Sequence, residues 1–309
     1  MSENSASPVS SVAVIGAGLM GHGIAQVMML AGLRVRVWDP DLPTLLKVPT
    51  RIIEHLLLMG VDQPVTVELA PSLADAITGA EVIFEAIPEN MALKHDLIRA
   101  LDESAPSAVV ASNTSVLRIS EIAQAAATPE RIVGAHWWNP PYLIPVVEVV
   151  PGERTSPQTL TTITSLLAAA GKTPVLINRD APGFVGNRMQ FALWREAMTI
   201  VEEGICSAAD VDLVARETFG RRLASVGPLE NADFIGLDLT TAIMDYLLPH
   251  LSTSPQTPEV VRRAVGQGHL GAKSGSGLFD WPLGSRERTE HRLLEHLLAA
   301  SDRQPSSEA

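Results

Sequence analysis

Three polar stretches carry residue types that chemistry needs. His136 follows the apolar run Ile132–Ala135, and Glu148 interrupts the apolar run Val146–Val150. A carboxylate in such a run is expensive to bury without a partner, and an imidazole is a suitable one. The imidazole titrates near working pH and can accept a hydroxyl proton; a carboxylate behind it fixes the tautomer and stabilises the imidazolium that forms. Ser112-Asn113-Thr114-Ser115 ends a third apolar run, Ala108–Ala111. On spacing alone, a structural histidine beside a paired core glutamate fits these residues as well as a catalytic pair does.

The element that must position such groups lies at Ser11–Gly23. Val12–Ile15 reads as a buried parallel strand. Gly16, Gly18 and Gly21 follow in the spacing G-x-G-x-x-G, and a helix-forming stretch begins at Ile24. Gly16 permits a tight turn, Gly18 a close approach of backbone to a pyrophosphate, and Gly21 close packing of helix on strand. The phosphates then sit at a helix N-terminus, beside Leu19 and Met20, where free N–H groups and the macrodipole favour negative charge. A second strand, Leu33–Trp38, ends in Asp39. A carboxylate there accepts the ribose hydroxyls of NAD and repels the 2′-phosphate of NADP. The motif in this strand–turn–helix context predicts NAD as cofactor.

The remaining pattern fits that start. Strands are expected at Val65–Leu69, Glu81–Ala86, Ala108–Ala111, Ile132–Ala135, Val146–Val150 and Pro174–Ile177, alternating with helices at Leu42–Met59, Ser72–Thr78, Met91–Asp102, Ile119–Ala127 and Ser156–Ala170. Such alternation predicts an α/β fold with a Rossmann-type doubly wound parallel sheet. From Gly183 the pattern is all-helical, with helices at Phe184–Glu203, Ser207–Thr218, Glu230–Leu248 and Pro258–Val265. The expected organisation is a flexible tail (1–10), an NAD-binding domain (11–180), a helical domain for substrate and dimerisation (181–300) and a second tail (301–309).

Composition narrows the function classes. The 309 residues carry a net charge of −12, which argues against nucleic acid and anionic membrane surfaces as partners. The single cysteine, Cys206, cannot form an internal disulfide and reads as apolar filler, in keeping with a cytoplasmic protein. No stretch is apolar enough to span a bilayer and no signal peptide is evident. His22 reads as filler, His269 lies in a Gly-rich loop, and His55, His95, His250, His291 and His296 fall on expected solvated helix faces. None has metal-ligand spacing, so no metal is expected. Trp137 and Trp138 are candidates for a pocket wall or for aromatic core.

These motifs together resemble the L-3-hydroxyacyl-CoA dehydrogenase superfamily. GAGLMGHGIAQV resembles its cofactor loop, EAIPENMALK the loop after its fourth strand, ASNTSVLRIS its serine loop and AHWWNPPYLIPVVEVV its His…Glu segment. DAPGFVGNR resembles the entry to its helical domain and GHLGAKSGSGLFDW its C-terminal loop. The resemblance implies reversible NAD-dependent oxidation of a secondary hydroxyl, with His136 as base, Glu148 as its orienter, and Ser115 and Asn187 at the reacting oxygen. It places Glu89, Lys94 and Asn139 on the cofactor side, implies a homodimer through the helical domain, and points to 3-hydroxyacyl-CoA and fatty acid metabolism. The segment between Asp39 and Glu81 is short, however, and offers only Lys47, Arg51 and His55 where acyl-CoA enzymes carry a lysine-bearing arm. That scarcity, with the Asn-Pro-Pro-x-x-Ile-Pro pattern at Asn139–Pro145, also resembles relatives acting on small free acids such as L-gulonate, L-carnitine or a hydroxymethylpyridine carboxylate; Arg221 and Arg222 are candidates for the carboxylate. Two further readings are a lysine-based β-hydroxyacid dehydrogenase, using Lys94, Lys172 or Lys273, and a non-catalytic NAD-binding protein.

Overall fold

The computed structural model describes residues 9–301; the remainder of both expected tails lies outside the described residues. Within the first tail, Val9 packs on the core and Ser10 donates from its N–H and hydroxyl to Glu81 Oε1 (2.9 and 2.8 Å). The chain divides into two compact units, one running to Arg188 and including the last stretch from Glu295, the other Met189–Leu294.

The first unit is built on eight strands: β1 (Ser11–Ile15), β2 (Arg34–Trp38), β3 (Glu68–Leu69), β4 (Val82–Glu85), β5 (Val109–Ser112), β6 (Ile132–Trp137), β7 (Val146–Pro151) and β8 (Thr173–Leu176). They form one sheet in the order β3-β2-β1-β4-β5-β6-β7-β8. β1 shows why the sheet is doubly covered. Val12 and Val14 project into one apolar layer, Ala13 and Ile15 into the other, and all four are fully buried. Helices α1 (Gly21–Leu30), α2 (Leu42–Leu46) and α3 (Val48–Leu58) cover the first face. Helices α4 (Leu73–Ile77), α5 (Met91–Ser104) and α6 (Ile119–Ile122) cover the second, and α7 (Pro157–Ala169) returns to the first.

Two sequence expectations are refined here. β7 runs antiparallel to β6, while every other pairing is parallel. Only residues 138–145 join β6 to β7, too few for the helical crossover that a parallel pair requires. The single helix expected at Leu42–Met59 is broken at Lys47, because Pro49 has no N–H to continue the ladder and instead opens α3 near its start.

The second unit is helical. The chain enters it within α8 (Gly186–Glu202) and continues through α9 (Ala208–Glu217), α10 (Phe219–Leu223), α11 (Pro228–Ile235), α12 (Leu237–Leu247), α13 (Glu259–Gly266) and α14 (Ser285–Ser301). Ser207 caps α9 through the Asp210 N–H at 3.2 Å, as its sequence signature predicts. The helix expected at Glu230–Leu248 is interrupted at Gly236, whose φ of +100° only glycine adopts without strain. The helix expected from Phe184 begins at Gly186, because Phe184 itself is left-handed (φ +49°). Residues 271–280 add isolated bridges rather than a strand.

Candidate active site

The carboxyl ends of β1, β2, β4 and β5 open onto a cavity of about 780 Å³. At its centre is the glycine loop. Gly16 has φ +98°, and a Cβ there would meet the Ala86 carbonyl at 2.5 Å. A Cβ on Gly18 would meet nothing within 4 Å and would project into open space, so the loop leaves room for a ligand at the head of α1. Asp39 is held rigidly beside it: Oδ2 accepts the Ala17 N–H (2.7 Å) and Oδ1 the Asp41 N–H (2.8 Å). Each oxygen keeps a lone pair for a ribose hydroxyl. The cavity is lined further by Leu19, Met20, Glu89, Asn113 and Ser115. An open cradle at a helix N-terminus with a fixed carboxylate at the next strand end fits NAD.

The antiparallel β6–β7 pairing sets His136 directly opposite Glu148. Both are buried, and His136 Nδ1 lies 2.7 Å from Glu148 Oε2. Glu148 Oε1 accepts the Val185 and Gly186 N–H groups, both at 3.0 Å, at the head of α8. Burial pushes the Glu148 carboxyl up, but the bonds from His136, Gly186 and Val185 outweigh it and hold the group below its ordinary value. An ionised carboxylate only accepts, so His136 donates from Nδ1–H and keeps its lone pair at Nε2, the arrangement a proton acceptor needs. Phe184 and Trp138 pack on the imidazole with ring centroids 5.6 and 5.0 Å away. Gly186 has no side chain because a Cβ would enter the Trp138 ring. Trp137, by contrast, is core, edge-on to Phe84 at 6.0 Å.

Ser115 is exposed on the loop after β5. Its N–H donates to Glu89 Oε1 (3.0 Å), and its carbonyl accepts from Asn187 Nδ2 (2.8 Å). Asn187 is buried, and it grips the serine loop with one N–H while the other stays available. Asn113, named from sequence only as part of the Ser112–Ser115 stretch, accepts the Trp137 N–H at 2.9 Å and so ties the serine loop to the histidine strand. Its Asx position after a strand was the available signal.

Two residues that the resemblance places on the cofactor side, Lys94 and Asn139, stand elsewhere. Lys94 does not line the cavity: it is 1% exposed and donates to both oxygens of Glu85 (2.7 and 2.9 Å). Glu85 carries no sequence signal of its own, because it ends the apolar strand β4. Asn139 is exposed, outside the cavity lining, and joined to Pro140 by a cis peptide bond. Arg221, in α10, pairs with Glu217 at the end of α9 (2.9 Å). Lys172, one of the lysines weighed as acid/base, donates to the Pro141 and Ile144 carbonyls (2.6 and 3.0 Å) and secures the Asn139–Pro145 loop. His55 is not on a solvated face. His22 is buried against the Gly18 carbonyl, and His55 stacks on Tyr142 with centroids 4.1 Å apart and bonds Gln26. His95 bonds the Glu121 carbonyl at 2.9 Å.

The family models for the 3-hydroxyacyl-CoA dehydrogenase NAD-binding domain and C-terminal domain match residues 11–181 and 183–281. The chain belongs to the 3-hydroxyacyl-CoA dehydrogenase family. It is an NAD-dependent oxidoreductase acting on CH–OH groups, the chemistry named for its relatives. It is 35% identical over 282 residues (88% of this chain, 90% of the relative) to 5-formyl-3-hydroxy-2-methylpyridine 4-carboxylate 5-dehydrogenase of Mesorhizobium japonicum. It is 35% identical over 309 residues (96% and 88%) to L-carnitine dehydrogenase of Streptomyces griseus, and 35% identical over 286 residues (88% and 98%) to a probable 3-hydroxybutyryl-CoA dehydrogenase of Bacillus subtilis. Among solved structures, a 5-formyl-3-hydroxy-2-methylpyridine 4-carboxylic acid 5-dehydrogenase, described as an NAD+-dependent dismutase, superposes with a TM-score of 0.89 at 33% identity (94% and 97% covered). The (S)-3-hydroxybutyryl-CoA dehydrogenase of Ralstonia eutropha gives 0.73 at 28% identity (88% and 99%). Among the described residues no helix is long and apolar enough to cross a membrane.

Proposed function

We propose that this enzyme oxidises the hydroxyl of a small free hydroxy acid rather than a CoA thioester. The observation that carries this reading is the arm formed by α2 and α3. A CoA ligand brings a pyrophosphate and a 3′-phosphate, which call for several basic contacts. The arm has only Lys47 and Arg51, its His55 is engaged with Tyr142 and Gln26, and its exposed surface is apolar at Leu42, Leu46, Ile53 and Leu57. The closer structural agreement with the pyridine carboxylate enzyme and the identity to L-carnitine dehydrogenase support the same reading.

Bound NAD supplies the hydride acceptor. His136 Nε2 takes the hydroxyl proton, Glu148 stabilises the imidazolium across their shared hydrogen bond, and the Ser115 hydroxyl with the second Asn187 N–H holds the reacting oxygen. The enzyme acts as a homodimer in the cytoplasm. The support for the dimer is physical: among the described residues of the helical unit none is fully buried, and Leu229, Phe234 and Tyr246 are 85%, 85% and 78% exposed. A helical unit with so much apolar surface in water requires a partner to cover it.

The deciding measurement is NADH formation from L-3-hydroxybutyryl-CoA against L-3-hydroxybutyrate, L-carnitine, L-gulonate and a hydroxymethylpyridine carboxylate at matched concentrations. Turnover of a free acid with none of the thioester is expected. Preference for the thioester would overturn the assignment. Sedimentation velocity at micromolar concentration is expected to show a dimer.

A further inference from the structure

Beneath the cavity floor lies a charged network that the catalytic chemistry does not use. Glu85, at the end of β4, is 1% exposed. Its Oε1 accepts the Ile87 N–H (3.0 Å) and Lys94 Nζ (2.7 Å); its Oε2 accepts Lys94 Nζ (2.9 Å) and the Ser112 hydroxyl (2.5 Å). The ammonium is therefore committed to Glu85. Glu89 Oε2 comes only within 3.5 Å of it. Glu89 Oε1 is held instead by the Thr114 hydroxyl (2.5 Å) and the Ser115 and Val116 N–H groups (3.0 and 3.1 Å). Two carboxylates thus share one ammonium, and no other ion pair reaches Glu89 among the described residues. Burial pushes the Glu89 carboxyl up, but these donors and the Lys94 charge outweigh it and keep the group below its ordinary value.

The location of this surplus charge matters. A dinucleotide straddles β1 with its pyrophosphate on the head of α1. With the adenosine ribose at Asp39, beyond β2, the nicotinamide half falls on the other side of β1, over β4 and β5. Glu89, Asn113 and Ser115 line the cavity there. The oxidised nicotinamide ring is a cation and the reduced ring is neutral.

We propose that Glu89, backed by the Glu85–Lys94 pair, places one uncompensated negative charge at the nicotinamide end of the cavity and makes the site discriminate between cofactor oxidation states, tightening NAD+ relative to NADH. The Glu85–Lys94 pair is the positioning part of the device: it neutralises itself and holds the β4 and β5 ends, leaving Glu89 as the charge that the ligand meets. At about 4 Å, one unit charge changes the affinity for another about fivefold at the dielectric of bulk water and by more in a cleft of lower dielectric, so a change of about tenfold or more is expected. The inference rests on NAD binding alone and stands whichever hydroxy acid is the substrate.

Glu89→Gln tests it by direct binding, with no turnover required. The amide oxygen retains the Ser115 and Val116 hydrogen bonds, so the serine loop stays in place. Titration calorimetry with NAD+, NADH and ADP-ribose is expected to show the Kd for NAD+ rising about tenfold or more, with NADH and ADP-ribose within about twofold of wild type. Glu89→Asp, which keeps the charge, is expected to retain the wild-type ratio of the NADH and NAD+ constants. Equal weakening of all three ligands in Glu89→Gln, unchanged NAD+ affinity in that variant, or the same loss of ratio in Glu89→Asp would each overturn the proposal.

Discussion

Replacing Glu148 with Gln removes one charge and adds no volume, so its consequences follow from hydrogen-bond polarity. Glu148 now accepts from three donors: His136 Nδ1–H through Oε2, and the Val185 and Gly186 N–H groups through Oε1. A glutamine offers one accepting oxygen and one donating nitrogen. If the oxygen stays on the backbone pair, the amide NH2 faces His136 Nδ1, which must then accept; the ring proton moves to Nε2 and the base is lost. If the amide flips to satisfy Nδ1–H, its NH2 confronts two backbone donors, at about 1–3 kcal/mol each. The competent arrangement is then about 2–6 kcal/mol above the incompetent one, a factor of about 30 to 10^4. Losing the charge that stabilises the imidazolium removes about another 1.5–3 kcal/mol. We expect kcat to fall by about three orders of magnitude or more, with the Kd for NAD+ within about twofold, because Glu148 lies outside the cavity lining. Steady-state NADH formation and calorimetry with NAD+ measure the two quantities. A kcat within about tenfold of wild type would refute the dyad as the proton acceptor.

The cradle and the buried histidines supply two further tests. Gly18→Ala places a Cβ in the open space before α1, with no protein atom within 4 Å of it. NAD+ affinity is expected to drop by at least about tenfold, the equivalent of about 1.4 kcal/mol of lost contact, while Tm is unchanged; retained affinity would mean the pyrophosphate does not rest there. Burial, with the nearby His22 and Arg51 charges, pushes His55 down to about 4. The unfolded chain takes up this proton near pH 6.5 while the native chain resists until about pH 4, so its contribution to stability is complete above pH 6.5 and lost as the pH falls toward 4. His55→Gln is expected to flatten that part of the Tm-versus-pH curve; an unaltered slope would show that His55 is already charged in the fold.

Much of this protein is determined locally. The apolar run, glycine spacing and Asp39 of the cofactor cleft lie within one strand–turn–helix–strand unit, where every requirement is a neighbour in sequence. The strands β1, β4, β5, β6 and β7 are likewise written in short, mostly apolar runs, since a sheet covered on both faces needs no alternation, whereas β2 (RVRVW) alternates. The His136–Glu148 pair was legible as two residue types in two runs, but only the antiparallel register of β6 and β7 makes them opposite neighbours. Asn187 reads in sequence as a substrate contact, and the fold uses it to grip the Ser115 carbonyl. Lys94 reads as a cofactor residue, and the fold buries it against Glu85. Sequence separates these partners by distances that carry no periodic signal, and whether a charge faces a ligand or another buried charge is decided by which carboxylate comes within about 3 Å of it. Chain-local patterns therefore determined the cofactor, the fold class and the candidate reacting groups. Long-range packing decided which charges are paired beneath the site, as Lys94 is with Glu85, and which carboxylates, Asp39 and Glu89 among them, line the cavity.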